Sequence, residues 1–186
     1  MGRLRYSINL TLDGCCDHRE GVPDPEMHQF WANLVADAGA LLYGRVTYEM
    51  MEQAWRPMAE TGTVPDATPG WVLPFARSIH GARKYVASTT LREVDWNARL
   101  ITGDLRQAVE QIKREEDGVI SLGGVNLARS IAALGLIDEY IFVVQPRIAG
   151  HGPTLLSGLP SHIDLKLTDQ RTFDSGAVVL TYEARR

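Results

Sequence analysis

Cysteine is scarce in this 186-residue chain, and the two that occur, Cys15 and Cys16, are adjacent. Neighbouring cysteines cannot staple distant segments together, so a reduced, cytoplasmic setting is expected. No Cys-x-x-Cys pair occurs, and the five histidines are scattered without ligand spacing, so no metal is expected. Long apolar runs are missing as well. An uncharged, largely apolar stretch such as Ser130 to Ile137 is far too short to cross a bilayer. The N-terminus alternates in polarity instead of forming the apolar block of a secretory signal. A charge excess is also lacking. The net charge of -4 gives no reason to expect nucleic acid or an anionic membrane as partner. An anionic ligand would have to be held by local groups. The Gly-x-Gly-x-x-Gly fingerprint is absent too, which leaves a standard Rossmann reading unsupported.

What is present fits one domain over residues 1–186, with 45% apolar and 23% charged residues. Arg3 to Leu12 alternates, with Leu4, Tyr6, Ile8, Leu10 and Leu12 on one face, and reads as a first strand ended by Asp13-Gly14. Pro23-Asp24-Pro25-Glu26 offers a helix start with Asp24 as cap. Ala40 to Tyr43 is a short, wholly apolar strand, and Thr47 to Trp55 reads as helical. Arg56 to Gly70, rich in proline and glycine, reads as an excursion at the rim, followed by a helix over Trp71 to Ile79. Lys84 to Ala87 and Leu100-Ile101 are further strands, and Asp104 caps a helix with Leu105, Val109 and Ile112 on one face. That helix ends in Lys113 to Asp117, a charge run expected to be solvated. Val119 to Leu122 is a buried strand, and Gly123-Gly124 turns into a helix bearing Leu127, Ile131 and Leu134, ended by Gly135. Tyr140 to Val144 is a strand, and Ile163 to Lys166 and Val178 to Tyr182 form a closing hairpin around Asp174-Ser175-Gly176. The pattern describes a mostly parallel α/β sheet with antiparallel strands at one edge.

Ligands of such sheets collect at the C-terminal ends of the strands. Gly123 and Gly124 would let a ligand approach the backbone, and the helix after them offers free N–H groups to a phosphate. A tight strand-to-helix turn explains the same pair equally well. Gly44, Arg45 and Thr47 could hold phosphate through an amide, a guanidinium and a hydroxyl. Ser88 and Thr89 supply short donors at another strand end. Asp13 could orient a substrate or assist proton transfer, although an Asp-Gly turn needs it equally.

Together these segments resemble the dihydrofolate-reductase-like superfamily, in particular the reductase domain of riboflavin biosynthesis and its stand-alone relatives. The likeness runs through Ser7–Gly14, Tyr43–Thr47, Val86–Thr89, Gly123–Leu127, Gly135–Glu139 and Pro146–Gly152. It implies a three-layer α/β/α fold and NADPH-dependent hydride transfer to a small heterocyclic substrate, in the manner of a 5-amino-6-(5-phosphoribosylamino)uracil reductase. Carried over by position, Gly44, Arg45 and Thr47 would bind phosphates on the adenosine side, with Ser88 and Thr89 near the ribose 2′-phosphate. Gly123, Gly124, Val125, Asn126 and Leu127 would line the diphosphate and nicotinamide, with a cis peptide between the two glycines. The resemblance also implies a homodimer paired through the C-terminal strands. Two positions depart from the riboflavin enzymes: Leu122 stands where a substrate-binding glutamate is usual, and Met51 where an aspartate is. A dihydrofolate or pterin reductase is the second enzymatic reading, with Glu26 as the substrate carboxylate. A dinucleotide-binding protein without turnover is the third.

Overall fold

The computed structural model describes residues 1–22, 24–66 and 68–185. Pro23, which opens the first helix-start motif, Ala67, within the 56–70 excursion, and the terminal Arg186 lie outside the described residues. Alternation sets the first strand, β1 (Arg3–Thr11), whose Leu4 and Tyr6 are completely buried. Asp24 then caps α1 (Pro25–Ala36) by accepting from the backbone N–H groups of Glu26 and Met27. β2 (Ala38–Gly44) leads directly into α2 (Arg45–Thr61), and α3 (Leu73–Gly81) precedes β3 (Lys84–Ala87). The remaining elements are β4 (Ala98–Ile101), α4 (Leu105–Glu115), β5 (Val119–Leu122), α5 (Asn126–Ala133), β6 (Glu139–Gln145), β7 (Leu165–Thr172) and β8 (Val178–Ala184).

The strands form one sheet in the order β4-β3-β2-β5-β1-β6-β8-β7. The run from β4 to β6 is parallel, while β8 and β7 are antiparallel. Helices cover both faces, as the three-layer expectation requires. On one face Val109 and Ile112 of α4 and Ala128 and Ile131 of α5 pack with Tyr6, Leu42, Ile120 and Leu122. On the other face Val35, Tyr48 and Ile79, from α1, α2 and α3, pack with Leu41, Tyr43 and Val86. Met27 of α1 meets Ile141, Val143 and Val179 farther along that face. The chain thus moves from β1 out to β4 with helices on one face, then returns through β5 to β6 with helices on the other.

Three expectations are corrected. The helix expected to stop at Trp55 continues to Thr61 through Pro57, so the rim excursion begins after Gly62. Arg56 holds it past the proline by pairing with Glu52 and Glu60 one turn either side, and with Asp95 beyond the helix. Gly62 closes it in a left-handed cap, with φ 70° and its N–H on the Met58 carbonyl. The charge run at the end of α4 is not a solvated end either. Lys113 and Glu116 are buried, the first against Asp138 and the second accepting from the Tyr85 hydroxyl at 2.7 Å. Their charges are paired across elements, which a reading of one helix cannot reveal. The hairpin strand β7 also runs on to Thr172, well past the expected Lys166.

Candidate functional site at the C-terminal edge of the sheet

Because β4, β3, β2, β5, β1 and β6 are parallel, Ile101, Ala87, Gly44, Leu122, Thr11 and Gln145 end side by side on one edge. The segments singled out from sequence therefore fall in a contiguous row: Ser88-Thr89 after β3, Gly44–Thr47 after β2, Gly123–Leu127 after β5 and Asp13 after β1. A groove of about 420 Å³ opens at the β4–β3–β2 end of this row, lined by Arg45, Ser88, Thr89 and Leu127. It is also lined by Thr102 and Gly103, which the sequence reading passed over. A Thr-Gly pair straight after a strand is the same kind of signal as Gly44, but the strand before it was read as only two residues long.

Two helices begin on this edge without a side-chain cap. The N-cap of α2 is Gly44, which has no side chain to offer, and that of α5 is Val125. Their first-turn N–H groups carry the positive ends of two helix dipoles. Arg45 is exposed and, among the described residues, engaged only by Glu49 at 3.0 Å, one turn along the helix. An exposed pair of that kind is worth little, so the guanidinium is free to turn toward an anion. Ser88 is more committed: its Oγ accepts from the N–H groups of Thr90 and Leu91 and shapes the loop.

The glycine pair has a reason of its own in this chain. A Cβ on Gly123 would come within 2.8 Å of the Tyr43 ring. One on Gly124, where φ is +90°, would collide with Thr47 Oγ1. The pair thus lets the start of α5 press against the start of α2, where Leu127 Cβ stands 3.5 Å from a Cβ placed on Gly44. The cis peptide expected here is not present, since the described residues contain none. The left-handed φ of Gly124 makes the turn instead. Leu122, just before it, is wholly buried in the core on the α4–α5 face, so that position presents nothing to the edge. Met51 packs against the cluster around Leu41 and Tyr43.

Asp13 is tied into the edge. Its carboxylate accepts from the Thr11 hydroxyl and from the N–H groups of Ala149, at 3.1 Å, and Gly150, at 2.7 Å. The Thr11 hydroxyl, then these two amides, pull its pKa down to about 2. A carboxylate so held tethers the 146–152 loop to the end of β1, and at neutral pH it has no proton to donate. Its folded pKa lies below its unfolded value. The tether's contribution is therefore present above the unfolded pKa and lost as pH falls through about 2. Asp13→Asn retains only part of the acceptor set, so backbone amides of 147–152 should exchange hydrogen faster than in the parent while β6 stays protected. Unchanged exchange in that loop would remove the tether. Glu26 stands apart, at the outer corner, paired with Arg171 of β7 and 3.5 Å from the Asp174 N–H.

The doubly covered sheet, the row of strand ends and the two open helix starts define an α/β protein with a ligand-type crevice where its strand order reverses. The chain belongs to the RibD C-terminal domain family, whose model matches residues 3–179. It is 29% identical to the uncharacterized protein YyaP of Bacillus subtilis (strain 168), over 97% of this chain and 94% of that one. A structure ascribed to riboflavin biosynthesis in Shewanella sp. PV-4 superposes with a TM-score of 0.75 at 19% identity, covering 99% of both chains. The Thermotoga maritima diaminohydroxyphosphoribosylaminopyrimidine deaminase/5-amino-6-(5-phosphoribosylamino)uracil reductase superposes at 0.67 with 18% identity. In that comparison 99% of this chain is covered and 57% of the other, so this chain spans little more than half of it. Among the described residues no helix is long and apolar enough to cross a membrane, and no group of three potential ligands could hold a metal ion.

Proposed function

We propose that the chain is an NADPH-dependent reductase of a small, flat heterocyclic substrate. The observation that carries this reading is the row of segments along one edge, ending in a groove of about 420 Å³ beside Arg45, Ser88 and Thr89. Those residue types suit a phosphorylated ribose, and the uncapped starts of α2 and α5 suit a diphosphate. Gly44, Thr47, Gly123, Gly124, Val125, Asn126 and Leu127 would form the backbone-lined floor under it. The nicotinamide supplies the hydride, so the protein's part is to bind, orient and exclude water. Asp13 fits a positioning part, because it fixes the loop beside the end of β1.

The pterin reading is weaker, since Glu26 is exposed and engaged by Arg171. The phosphoribosylaminouracil named for the Thermotoga enzyme is also a weaker match, because Leu122 is core and Met51 is apolar. Titration with NADPH and NADH, followed by quenching of tryptophan fluorescence, tests the cofactor site. Arg45→Ala should weaken NADPH roughly tenfold, the scale of one charge-assisted hydrogen bond. Tight NADPH binding that survives Arg45→Ala and Ser88→Ala together would sink the proposed site. Binding with no oxidation by any heterocycle tried would favour a non-catalytic binding protein.

A homodimer is part of this reading. It is supported by Phe142, Leu180 and Tyr182, half-buried neighbours on one face of β6 and β8. Sedimentation as a monomer at micromolar concentration would remove it.

A further inference from the structure

β1 lies in the middle of the sheet, yet one of its faces is polar. Tyr6, Ile8 and Leu10 alternate with Ser7, Asn9 and Thr11, and every residue from Ser7 to Leu10 is only half-buried, while Thr11 is buried. A central strand of a three-layer protein is open to solvent only where a crevice reaches it. The register explains why. Pairing of β1 with β5 ends at Tyr6–Leu122, whereas pairing with β6 continues to Thr11–Gln145. The strand therefore projects beyond β5, and the side of Ser7–Thr11 that faces away from β6 borders the notch above the Gly123–Gly124 turn.

Asn9 sits in that projection, and its amide has a fixed direction. The backbone N–H of Val22 can only donate. It donates to Gln145 Oε1 at 3.4 Å. Gln145 is buried, so its Nε2 must be the atom turned toward Asn9 and Met27. It donates to Asn9 Oδ1 at 3.2 Å and to Met27 Sδ at 3.1 Å. A nitrogen that only donates demands an oxygen opposite it, so Asn9 presents Oδ1 to β6. Its NH2 group is thereby left on the side of the amide away from Gln145, with no hydrogen bond to an acceptor among the described residues.

We propose that Asn9 determines specificity by donating to a hydrogen-bond acceptor of the substrate, and that Gln145 is the positioning residue that makes it a donor. The inference rests on the reductase reading of this edge. The substrate class it selects is a flat heterocycle presenting an exocyclic carbonyl oxygen to the notch. An amino group at that place meets a donor and is disfavoured. Val22 links the arrangement to the 17–22 segment and Met27 links it to α1, so the same glutamine fixes both against the strand.

Two pteridines test this: lumazine, with carbonyl oxygens at both substituted positions, and 2,4-diaminopteridine, with amino groups there. Affinities are measured by fluorescence, in the presence and absence of NADP+. The parent protein should prefer lumazine. Asn9→Asp puts an acceptor in the notch and should reverse that preference, roughly tenfold in each direction. Gln145→Glu should reverse it too. One carboxylate oxygen still accepts from Val22, and the other draws the Asn9 NH2 toward β6, leaving Oδ1 in the notch. Because Gln145 is buried, that variant can fail to fold, and Asn9→Asp then carries the test alone. A merely structural role would weaken both pteridines alike and leave their ratio unchanged. That result overturns the inference, as does a parent protein that binds NADP+ but neither pteridine. A reversal without any NADP+ binding upholds the role of Asn9 and overturns the cofactor reading instead.

Discussion

Gly124→Ala should lower the unfolding midpoint by roughly 10 °C, the largest effect expected from adding one methyl group to this chain. Two costs add at that position. The backbone sits at φ +90°, where a side chain costs about 1–3 kcal/mol. The new Cβ also overlaps Thr47 Oγ1, and overpacking of that kind costs a further 1–3 kcal/mol or so. Their sum, about 4 kcal/mol, corresponds to the stated shift for a domain of this size. The two costs can be separated. Thr47→Ala removes the hydroxyl, after which the nearest atom to the new methyl is the residue-47 Cβ at 3.4 Å, an ordinary contact. The double variant should then recover the steric part and keep the backbone part, giving a coupling of about 1–3 kcal/mol in a thermal or urea double-mutant cycle. Strict additivity would mean that Thr47 and Gly124 do not meet. Gly123→Ala, facing the Tyr43 ring edge at 2.8 Å, should be milder because its φ is not left-handed.

That pair shows where sequence reading succeeded and where it stopped. Its place, between a buried strand and a helix at the C-terminal edge of the parallel strands, followed from local pattern, because a run such as Val119–Leu122 bounded by Gly-Gly has few alternatives. Its purpose did not follow. Glycine here is required by Tyr43 and Thr47, which lie about eighty residues away in the chain and are brought close by the pairing of β2 with β5. The same limit applies elsewhere. Lys113 and Glu116 look like a solvated helix end until β6 and β3 bring Asp138 and Tyr85 beside them. Pro57 looks like a helix stop until Arg56 is seen bracing both sides. Glu26 could be aligned with a substrate carboxylate only while Arg171, on the far hairpin, was out of view. The Asn9–Gln145 relay was invisible for another reason. Alternation in β1 was read for its apolar half, and the polar half matters only because β5 ends early and exposes it. Periodicity reports which residues are buried. It does not report which neighbour is missing.

The opposite edge of the sheet should behave differently from the ligand edge, and Asp138→Ala makes the difference measurable. Lys113 Nζ lies 2.5 Å from Asp138 Oδ2, with side-chain exposures of only 6% and 11%. The ammonium also donates to the Leu136 carbonyl at 3.3 Å, and the Leu4 N–H donates to Asp138 at 2.8 Å. One buried pair thus joins α4, the start of β1 and the segment entering β6. Removing the carboxylate strands a buried ammonium and a backbone donor together, which costs about 3–5 kcal/mol. Replacing both charges is another matter. Lys113→Met with Asp138→Asn keeps an acceptor for Leu4 and leaves no buried charge, so it should cost far less than Asp138→Ala, in keeping with the near-neutral exchange of buried pairs for neutral groups. Urea denaturation of the three proteins checks this, and equal losses for the single and double variants would mean that the charge is not the issue. Below its unfolding transition, Asp138→Ala should bind NADPH as the parent does, because the proposed site lies at the other ends of the strands. Arg45→Ala should do the reverse, weakening NADPH with little change in the urea midpoint, since its partner Glu49 is exposed. That crossed result would place stability at the N-terminal edge of the parallel strands and ligand binding at the C-terminal edge.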